Sequence, residues 1–401
     1  MQFLKSLHLD GFLSFAPGSE AIPLTSLNVL IGPNGSGKSN LIEALELLRA
    51  TPTAFAAAIR AGGGVTDYLW KGDRPSQEAV LETQLAPAPT ISGGRGIPVR
   101  YKLAFAASAH RTEIVDEVIE EAEPRGAGMD DVYFYYRFQR GNPVINARSA
   151  TEPDAAMASR RLVRASLLAD ESVLSQRKDP DLYPELTWVG QQFGQISMFR
   201  EWRFGPSTTL RQAQSTALPT DRLLPDASNL ALILNEMEHI GAAATFNELL
   251  TRFLPRFQRF STRILGDSVQ LYLHEAGLGS PVPANHLSDG TLRFVALLAL
   301  LLAPDPPPLV CLEEPEIGLH PDAVSILAEL LIDASSRMQI IVTTHSDTMV
   351  SALTGHADSV LVCEYHAGTV VRRIESARLQ YWLDRYRLGE IWRLGELGGN
   401  P

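Results

Sequence analysis

Apolar and polar positions alternate with different periods along this chain, and these periods define its predicted elements. Residues 2–12 alternate as a half-buried strand does, and residues 26–31 form a second, more apolar strand that leads into a glycine-rich loop. From Lys38 onward, the apolar residues of KSNLIEALELLRA recur at helical spacing. The sequence therefore predicts a strand, a loop and a helix in that order.

The middle of the chain has two different patterns. Period-two alternation predicts antiparallel strands at 79–85, 99–105, 113–119 and 132–138, most of them separated by Gly/Pro turns. The acidic run at 120–123 is expected to be a solvated hairpin end. Helical patterns, interrupted by prolines, then dominate to about residue 257. No heptad repeat persists among them, so a long coiled coil is excluded.

The last third returns to strands alternating with helices. Apolar runs predict strands at 309–312, 339–343 and 360–363, with a helix at 323–334 and a buried helix at 294–303. This is the rhythm of a parallel sheet with crossover helices. A nucleotide-binding core would therefore be assembled from the two ends of the chain.

We accordingly divide the sequence into four parts. Residues 1–75 and 261–401 are predicted to be the two parts of an α/β core. Residues 76–150 are predicted to be an antiparallel β subdomain, and residues 151–260 an inserted helical lobe.

Composition narrows the function classes. The 401 residues include 35 basic and 46 acidic side chains, a formal net charge of −11, which argues against indiscriminate coating of nucleic acid but leaves room for a local basic patch. Cys311 and Cys363 lie in apolar runs and are predicted to be buried, reduced thiols. The apolar stretch at 294–303 is too short to cross a bilayer and no secretory signal is visible, so we expect a cytoplasmic protein without a membrane partner.

The glycine-rich loop has the spacing of a phosphate-binding loop. Gly32, Gly37, Lys38 and Ser39 satisfy G-x-x-x-x-G-K-[ST] between a predicted strand and a predicted helix. Backbone N–H groups and the helix end would surround the phosphates, Lys38 would reach the β- and γ-phosphates, and Ser39 would ligate Mg²⁺. The predicted nucleotide-contacting residues are Gly32, Pro33, Asn34, Gly35, Ser36, Gly37, Lys38, Ser39 and Asn40.

Paired acids follow the predicted strand at 309–312. Because successive side chains of a strand point to opposite faces, Glu313 and Glu314 are suited to different roles at the strand's carboxyl end. Glu313 would hold the Mg²⁺ shell, and Glu314 would polarise an attacking water. The alternative is a capping pair before a proline turn.

Two further motifs have both a structural and a functional interpretation. His345, in TTHS after a predicted strand, could contact the γ-phosphate or be a structural histidine. Ser288 or Asp289 could simply cap the following apolar helix. Alternatively, Ser288 and the N–H of Gly290 could bind a phosphate at this helix start, with Asp289 between them.

Taken together and in this order, the four motifs resemble the ATP-binding cassette (ABC) ATPases, and within them the RecF/SMC/OLD-like branch of AAA-type proteins used in DNA repair and phage defence. The resemblance rests on the opening LKSLHLDGFLSF, Walker A (GPNGSGKSN), the signature LSDGTLRF, Walker B with its D-loop (LVCLEEPEIGLHP) and the switch histidine of TTHS. These core motifs cover about half of the chain. The segment 382–399 also resembles the tail of stand-alone ATPases of this group. Asp289 and Thr291 depart from the usual LSGGQ signature, and transporters usually have Asp-Glu where this chain has Glu-Glu.

The resemblance implies a P-loop ABC-ATPase head, with a mixed sheet flanked by helices, that binds ATP and Mg²⁺. It also implies a head-to-tail homodimer in which Ser288, Asp289 and Gly290 complete the partner's site, while Glu314 and His345 act in hydrolysis and Ser39 and Glu313 hold the metal. ATP would favour the closed dimer by its differential affinity for it. OLD-type nucleases add a TOPRIM domain and SMC proteins add coiled coils; only about fifty residues follow His345, so nuclease activity in cis is not expected.

Several assignments stay open at this stage. Gln84 and the pair Gln191–Gln192 are candidates for the Q-loop. Arg60, Arg200 and Arg203 could reach a phosphate or DNA, although scattered arginines are usually solvated or paired on the surface.

Three functions compete. The first is an ATP-gated dimeric switch in DNA repair or antiphage defence that passes its conformational change to a separate effector. The second is a regulatory ATPase that binds a toxin or nuclease without contacting DNA, which the net charge of −11 favours over a general DNA clamp. The third, a transporter nucleotide-binding subunit, is disfavoured by the Glu-Glu pair and by the middle region.

Overall fold

The computed structural model describes residues 2–87, 97–109, 111–125, 131–139, 141–147, 158–162, 166–200, 202–241 and 243–399. The chain forms two compact units, and each is built from separate stretches of sequence. The phosphate-loop unit comprises Gln2–Ile196, Leu361–Ile374 and Gly398–Pro401, and the Walker B unit comprises Ser197–Val360 and Glu375–Leu397. The predicted division into four parts stays a prediction.

The phosphate-loop unit contains an eight-stranded sheet of described strands, ordered β2-β1-β4-β5-β6-β7-β8-β9 and antiparallel throughout. The predicted strands of this region are all present, within a few residues of their predicted bounds. The elements, numbered along the chain, are β1 (Leu4–Asp10), β2 (Ile22–Pro23), β3 (Leu27–Ile31), α1 (Lys38–Ala50), α2 (Phe55–Ala61), α3 (Val65–Tyr68), β4 (Glu78–Leu85), β5 (Val99–Ser108), β6 (Arg111–Glu121), β7 (Phe134–Gln139), β8 (Asn142–Ala147), β9 (Ala158–Arg161), α4 (Val173–Gln176) and α5 (Pro184–Gly194).

The first two residues of the acidic run at 120–123 are buried, so the expectation of a solvated hairpin end is wrong for them. Glu120 and Glu121 are not a solvated hairpin end, because they are 6% and 1% exposed at the end of β6. Arg100 and Arg137 donate to Glu120, and Arg125 donates to Glu121. β6 can include Glu120 and Glu121 because these arginines, and Tyr135 for Glu121, supply the hydrogen bonds that a buried carboxylate needs.

The Walker B unit is organised around three parallel strands and a small antiparallel sheet. Its elements are β10 (Ser197–Phe199), β11 (Gln214–Ser215), α6 (Leu230–His239), α7 (Ala243–Phe253), β12 (Phe257–Leu265), β13 (Ser268–Glu275), β14 (Val282–Pro283), α8 (Asp289–Leu301), β15 (Leu309–Glu313), α9 (Pro321–Ala334), β16 (Gln339–Thr343), α10 (Asp347–Ala352), α11 (Ser376–Leu383) and α12 (Leu388–Arg393). Two strands that come between α10 and α11 in sequence, β17 (Val360–Tyr365) and β18 (Thr369–Arg373), belong almost entirely to the phosphate-loop unit. β15 pairs in parallel with β10 on one side and with β16 on the other.

The strand-and-helix rhythm of the last third is confirmed, whereas the β12–β13 hairpin was not predicted. β15 and β16 are buried apolar strands, and α9 lies between them in sequence. The β12–β13 hairpin pairs Phe257 to Leu265 with Ser268 to Glu275. Buried and exposed residues do not alternate regularly along β12, and three consecutive exposed residues end the strand. Its sequence therefore has no clear period of two between apolar and polar residues.

Candidate functional site

The phosphate loop joins β3 to α1 with three glycines in a backbone conformation that other residues rarely adopt. Gly32, Gly35 and Gly37 have φ of 146°, 78° and 99°. A Cβ on Gly32 would lie 2.2 Å from the carbonyl oxygen of Cys363, on the neighbouring strand β17. Only glycine therefore permits this approach of the loop to the sheet.

Lys38 is folded back onto the loop that precedes it. Its ammonium is buried and donates to the carbonyl oxygens of Gly32, at 2.7 Å, and Pro33, at 3.0 Å. The side chain thus spans the loop and holds a positive charge on its inner side. An ammonium in this place is suited to binding the β- and γ-phosphates of a nucleotide.

The start of α1 has no side-chain cap. The thirteen-residue α1 has Gly37 at its N-cap, no side-chain cap and no acidic residue in its first turn. Among the described residues, the buried hydroxyl oxygen of Ser36 has no hydrogen-bond partner. A helix N-terminus with uncapped N–H groups, preceded by an unpaired buried hydroxyl, fits a bound phosphate.

A hydrogen-bond network behind the loop was not predicted from the sequence. Thr369 of β18 donates through Oγ1 to the carbonyl oxygen of Ser36, at 3.0 Å, and is hydrogen-bonded to the Ser14 hydroxyl at 2.6 Å. Asn40 donates its side-chain amide to Ser14 at 2.7 Å. A Cβ on Gly37 would lie 2.1 Å from Thr369 Oγ1. Ser14 and Thr369 thus support the loop from outside its motif, and no local pattern marks them.

The paired acids at the end of β15 have different partners. Glu313 accepts a hydrogen bond from Arg200 Nε at 3.1 Å, and Arg200 directly follows β10. Glu314 Oε1 lies 3.7 Å from Nε2 of His345. The expectation that the two carboxylates are directed to different places is therefore confirmed. The tertiary fold also pairs Arg200 with a Walker B acid.

Glu314 has a backbone conformation that is uncommon for a residue with a side chain. Its φ is +46°, a conformation that costs about 1 kcal/mol or more. Its N–H donates to both the carbonyl oxygen and the hydroxyl of Thr343, at 3.1 and 3.2 Å. These bonds fix Glu314 at the point where the chain leaves β15. Strain of this kind is concentrated at functional sites.

Glu316 accepts hydrogen bonds from the segment that carries His345, and none of the sequence motifs pointed to it. Its Oε1 accepts from the Thr344 hydroxyl at 2.5 Å and from the backbone N–H of His345 at 3.1 Å. Burial raises the pKa of the Glu316 carboxyl, and the Thr344 hydrogen bond opposes this rise. The backbone that carries His345 is therefore held by the same turn that carries Glu314.

The signature helix α8 begins as one interpretation predicted, with a serine cap. Ser288 Oγ accepts from the N–H of Thr291 at 3.1 Å. Arg211, which is 6% exposed, donates to the carbonyl oxygen of Leu287 at 2.6 Å and pairs with the Asp289 carboxylate. The negative charge that Asp289 adds to the signature is therefore neutralised in place. A cap does not exclude phosphate binding, since Ser288 and Asp289 remain exposed.

Gly290 lies close to the turn after Walker B. A Cβ on Gly290 would lie 2.8 Å from the carbonyl oxygen of Gly318. Any larger residue at position 290 would displace that turn.

The Q-loop candidates both belong to the phosphate-loop unit. Gln84 is the next-to-last residue of β4 and lies opposite Arg100, and Gln191 lines a surface pocket with Pro52 and Thr53. Both thiols are buried as predicted, and burial raises the pKa of Cys363 to about 12, so this thiol stays protonated at neutral pH.

The oxygen donors fit a hard divalent cation. Ser39 is exposed at the start of α1, and Glu313 ends β15. In the described part of the chain, no group of three or more His, Cys, Asp or Glu residues could hold a metal ion. Mg²⁺ characteristically takes only one or two protein oxygens together with substrate phosphates and water, so its binding does not require such a group. No helix within the described residues has the length and apolar character needed to span a membrane.

Comparison with known sequences gives one family and several partial relatives. The family described as “AAA domain, putative AbiEii toxin, Type IV TA system” matches residues 27–351. The Old nuclease of Escherichia phage P2 is 37% identical over 73 residues, which are 18% of this chain and 12% of that protein. The chromosome partition protein Smc of Rhodopirellula baltica is 37% identical over 71 residues, 18% of this chain and 6% of that protein. The chain thus corresponds to a small part of these curated relatives.

Solved structures resemble the chain over nearly its whole length. The Smc head domain with an extended coiled coil bound to the C-terminal domain of ScpA, derived from Pyrococcus furiosus, has a TM-score of 0.56 and 15% identity, covering 96% of this chain and 99% of that one. An SmcHead bound to the C-winged helix domain of ScpA has a TM-score of 0.55 and 16% sequence identity. The match covers 94% of this chain and 99% of that one. These likenesses confirm the predicted fold class, an α/β P-loop ABC-ATPase head.

Proposed function

We propose that this chain, which belongs to the AAA family matched above and to the ABC-type RecF/SMC/OLD-like branch of AAA ATPases, binds and hydrolyses ATP as a nucleotide-gated switch. The observation that carries the proposal is the phosphate loop, where Lys38 lies across Gly32 and Pro33 in front of an uncapped helix. That arrangement binds an anion whose charge is concentrated on several oxygens, as in a nucleoside triphosphate.

We assign the chemistry to residues at the ends of three strands, β3, β15 and β16. Lys38 and the N–H groups of α1 bind the phosphates, and Ser39 and Glu313 hold Mg²⁺, which neutralises phosphate charge when bound. Glu314 orients and polarises the attacking water, and His345, 3.7 Å from Glu314, contacts the γ-phosphate. Residues Gly32 to Asn40 complete the nucleotide pocket.

The dimer is part of the proposal. Ser288, Asp289 and Gly290 bind the nucleotide of a second copy arranged head to tail, because a capped but exposed helix start retains N–H donors for a phosphate. ATP then favours the closed dimer by its differential affinity for that state, and hydrolysis reopens it. Such a cycle is suited to a switch in the cytoplasm that controls a separate effector.

The process served by the switch is proposed from the relatives. Similarity to Smc and to the Old nuclease favours work on DNA in repair or antiphage defence. The family description names a toxin of a toxin–antitoxin system, and the net charge of −11 is unfavourable for a general DNA clamp. A regulatory ATPase that binds a toxin or nuclease effector without contacting DNA is therefore the second candidate.

One experiment separates the two candidates. ATP hydrolysis by the purified chain is measured with Mg²⁺, alone and with single-stranded, double-stranded and nicked DNA, beside the Lys38→Ala variant. Stimulation by DNA that disappears at high salt supports the DNA switch. Unstimulated hydrolysis, together with a stable complex with the product of a neighbouring gene, supports the second candidate. Hydrolysis that is unaffected by Lys38→Ala would refute the ATPase assignment itself.

A further inference from the structure

Glu316 occupies a position in the Walker B unit that the catalytic assignment does not use. It is mostly buried in the turn after Glu314, and that turn continues through bonds from Ile317 N to Glu314 O, at 3.2 Å, and from Leu319 N to Glu316 O, at 3.0 Å. A carboxylate in such a place requires compensating hydrogen bonds, and two of them come from the segment Thr344–His345.

The bonds of Glu316 fix the backbone that carries the switch histidine. Oε1 accepts from the Thr344 hydroxyl at 2.5 Å and from the His345 N–H at 3.1 Å. The Thr344 hydroxyl in turn accepts from the N–H of Ser346 at 3.0 Å. A single carboxylate oxygen thus orders three successive residues, whose middle member places its ring 3.7 Å from Glu314.

The same carboxylate is coupled to the signature helix. Arg293, one turn after Ser288 on α8, donates to the carbonyl oxygen of Trp202 at 3.1 Å and lies over the ring of Phe204. The negative charge of Glu316 stabilises the Arg293 guanidinium, which burial otherwise disfavours. Gly290 approaches Gly318 on the same turn. The start of the signature helix therefore approaches, at Gly318, the turn that carries Glu316.

We infer that Glu316 is a positioning residue, which holds Thr344 and His345 in register with Glu314. The inference rests on the proposed function, since it gives a purpose to the His345–Glu314 pair. A displacement of about 1 Å at a catalytic group can lower turnover by about a hundred-fold, so the hydrogen bonds of Glu316 are expected to affect kcat rather than nucleotide binding.

Two substitutions at position 316 separate its hydrogen bonds from its charge. Glu316→Ala removes the acceptor, and we expect turnover at saturating ATP to fall at least about ten-fold while ATP affinity changes less than about two-fold. Glu316→Gln keeps one acceptor oxygen in the place of Oε1. The amide nitrogen would take the place of Oε2, which has no partner among the described residues, so none of the described hydrogen bonds is lost. Glu316→Gln should therefore retain turnover within about three-fold of the unaltered chain.

Two further tests distinguish loss of positioning from misfolding of the Glu316→Ala variant: the proton signals of the His345 ring without nucleotide, and the turnover of Thr344→Val. The ring protons of His345, assigned by their loss in His345→Asn, should shift in Glu316→Ala and not in Glu316→Gln. Thr344→Val removes the donor on the other side of the same bond and should reproduce the loss of turnover. Glu275→Ala removes a half-buried carboxylate of β13 in the same unit that pairs with Arg256, and serves as the control for thermal stability.

The outcomes are decisive in both directions. Normal turnover in Glu316→Ala, equal impairment in the alanine and glutamine variants, or an unshifted His345 signal in Glu316→Ala would overturn the positioning role. Failure of the proposed function looks different, because the unaltered chain would then match Lys38→Ala in the same assay. The Glu316 variants are therefore compared only if the unaltered chain hydrolyses ATP and the Lys38→Ala variant does not.

Discussion

The N–H of Glu314 donates to both the carbonyl oxygen and the hydroxyl of Thr343, at 3.1 and 3.2 Å, so the proposed catalytic acid is tied to the strand beside its own. This pairing places the chain after β15 next to the chain after β16, where His345 begins its turn. Two loops that each carry one proposed catalytic group are thereby fixed to each other.

Glu314→Gln tests the role of that acid. The amide keeps the size of the side chain but cannot take a proton from water, so hydrolysis should fall at least about a hundred-fold while ATP binding persists. With ATP the variant should sediment as a dimer, and without ATP it should not. Glu329→Gln, which changes an exposed carboxylate of α9 in the same unit, is the matched control. A Glu314→Gln chain that stays monomeric with ATP would contradict the composite dimer site.

Lys38→Ala tests the phosphate loop. Loss of the ammonium that lies against Gly32 and Pro33 removes the cation proposed for the β- and γ-phosphates, and ATP binding should become undetectable in calorimetry at micromolar concentrations. Lys71→Ala, which removes an exposed lysine paired with Asp67 in the same unit, should bind ATP as the unaltered chain does. Retained affinity in Lys38→Ala would mean that the loop is not the phosphate site.

Thr369→Val tests the support behind the loop. Valine keeps the shape of threonine but leaves the carbonyl oxygen of Ser36 and the hydroxyl of Ser14 without their hydrogen bonds to Thr369. At about 1 kcal/mol for each lost bond, the two losses amount to about 2 kcal/mol, so ATP affinity should weaken by up to about thirty-fold, as measured by calorimetry. Thr369→Ser keeps the hydroxyl and should stay within about two-fold of the unaltered chain. Equal affinities in the valine and serine variants would remove Thr369 from any role in the loop.

Glu117 makes the stability of the phosphate-loop unit depend on pH. It is fully buried in β6, accepts from the hydroxyls of Tyr101 and Ser172 and from the N–H of Val173, and burial raises its pKa from 4.5 to about 7. The folded state therefore binds more protons than the unfolded state between these two values, and the free energy of unfolding falls as pH rises through this window. The loss should reach about 3 kcal/mol by pH 8.

Urea unfolding at pH 5 and pH 8 measures this effect. Glu117→Gln cannot titrate, so the difference in unfolding free energy between it and the unaltered chain should change by the amount expected for Glu117 alone. Parallel pH dependence in the two proteins would show that Glu117 has an ordinary pKa. The comparison isolates Glu117 because all other titrating groups are common to both chains.

Motifs confined to neighbouring residues were predictable from the sequence. The loop Gly32–Ser39, the cap Ser288 and the acids after β15 follow from local patterns, since each depends on spacing within one turn or one strand. Glu120 and Glu121 were misplaced because partners on other strands bind them: Arg100 and Arg137 bind Glu120, and Tyr135 binds Glu121. Composition alone could not show that a charge run continues a buried strand.

The sequence by itself determined the order strand, phosphate loop, helix, and the acids and histidine that follow parallel strands, because these depend on residues a few positions apart. Only the tertiary structure decided their partners: Arg200 meets Glu313 across 113 positions, Thr369 meets Ser36 across 333, and Glu316 meets His345 across 29. Hydrogen bonds between distant segments are formed by sheet pairing and packing, and no local period encodes them. The sequence therefore identifies the groups proposed to react, and the fold supplies the residues that hold them in place.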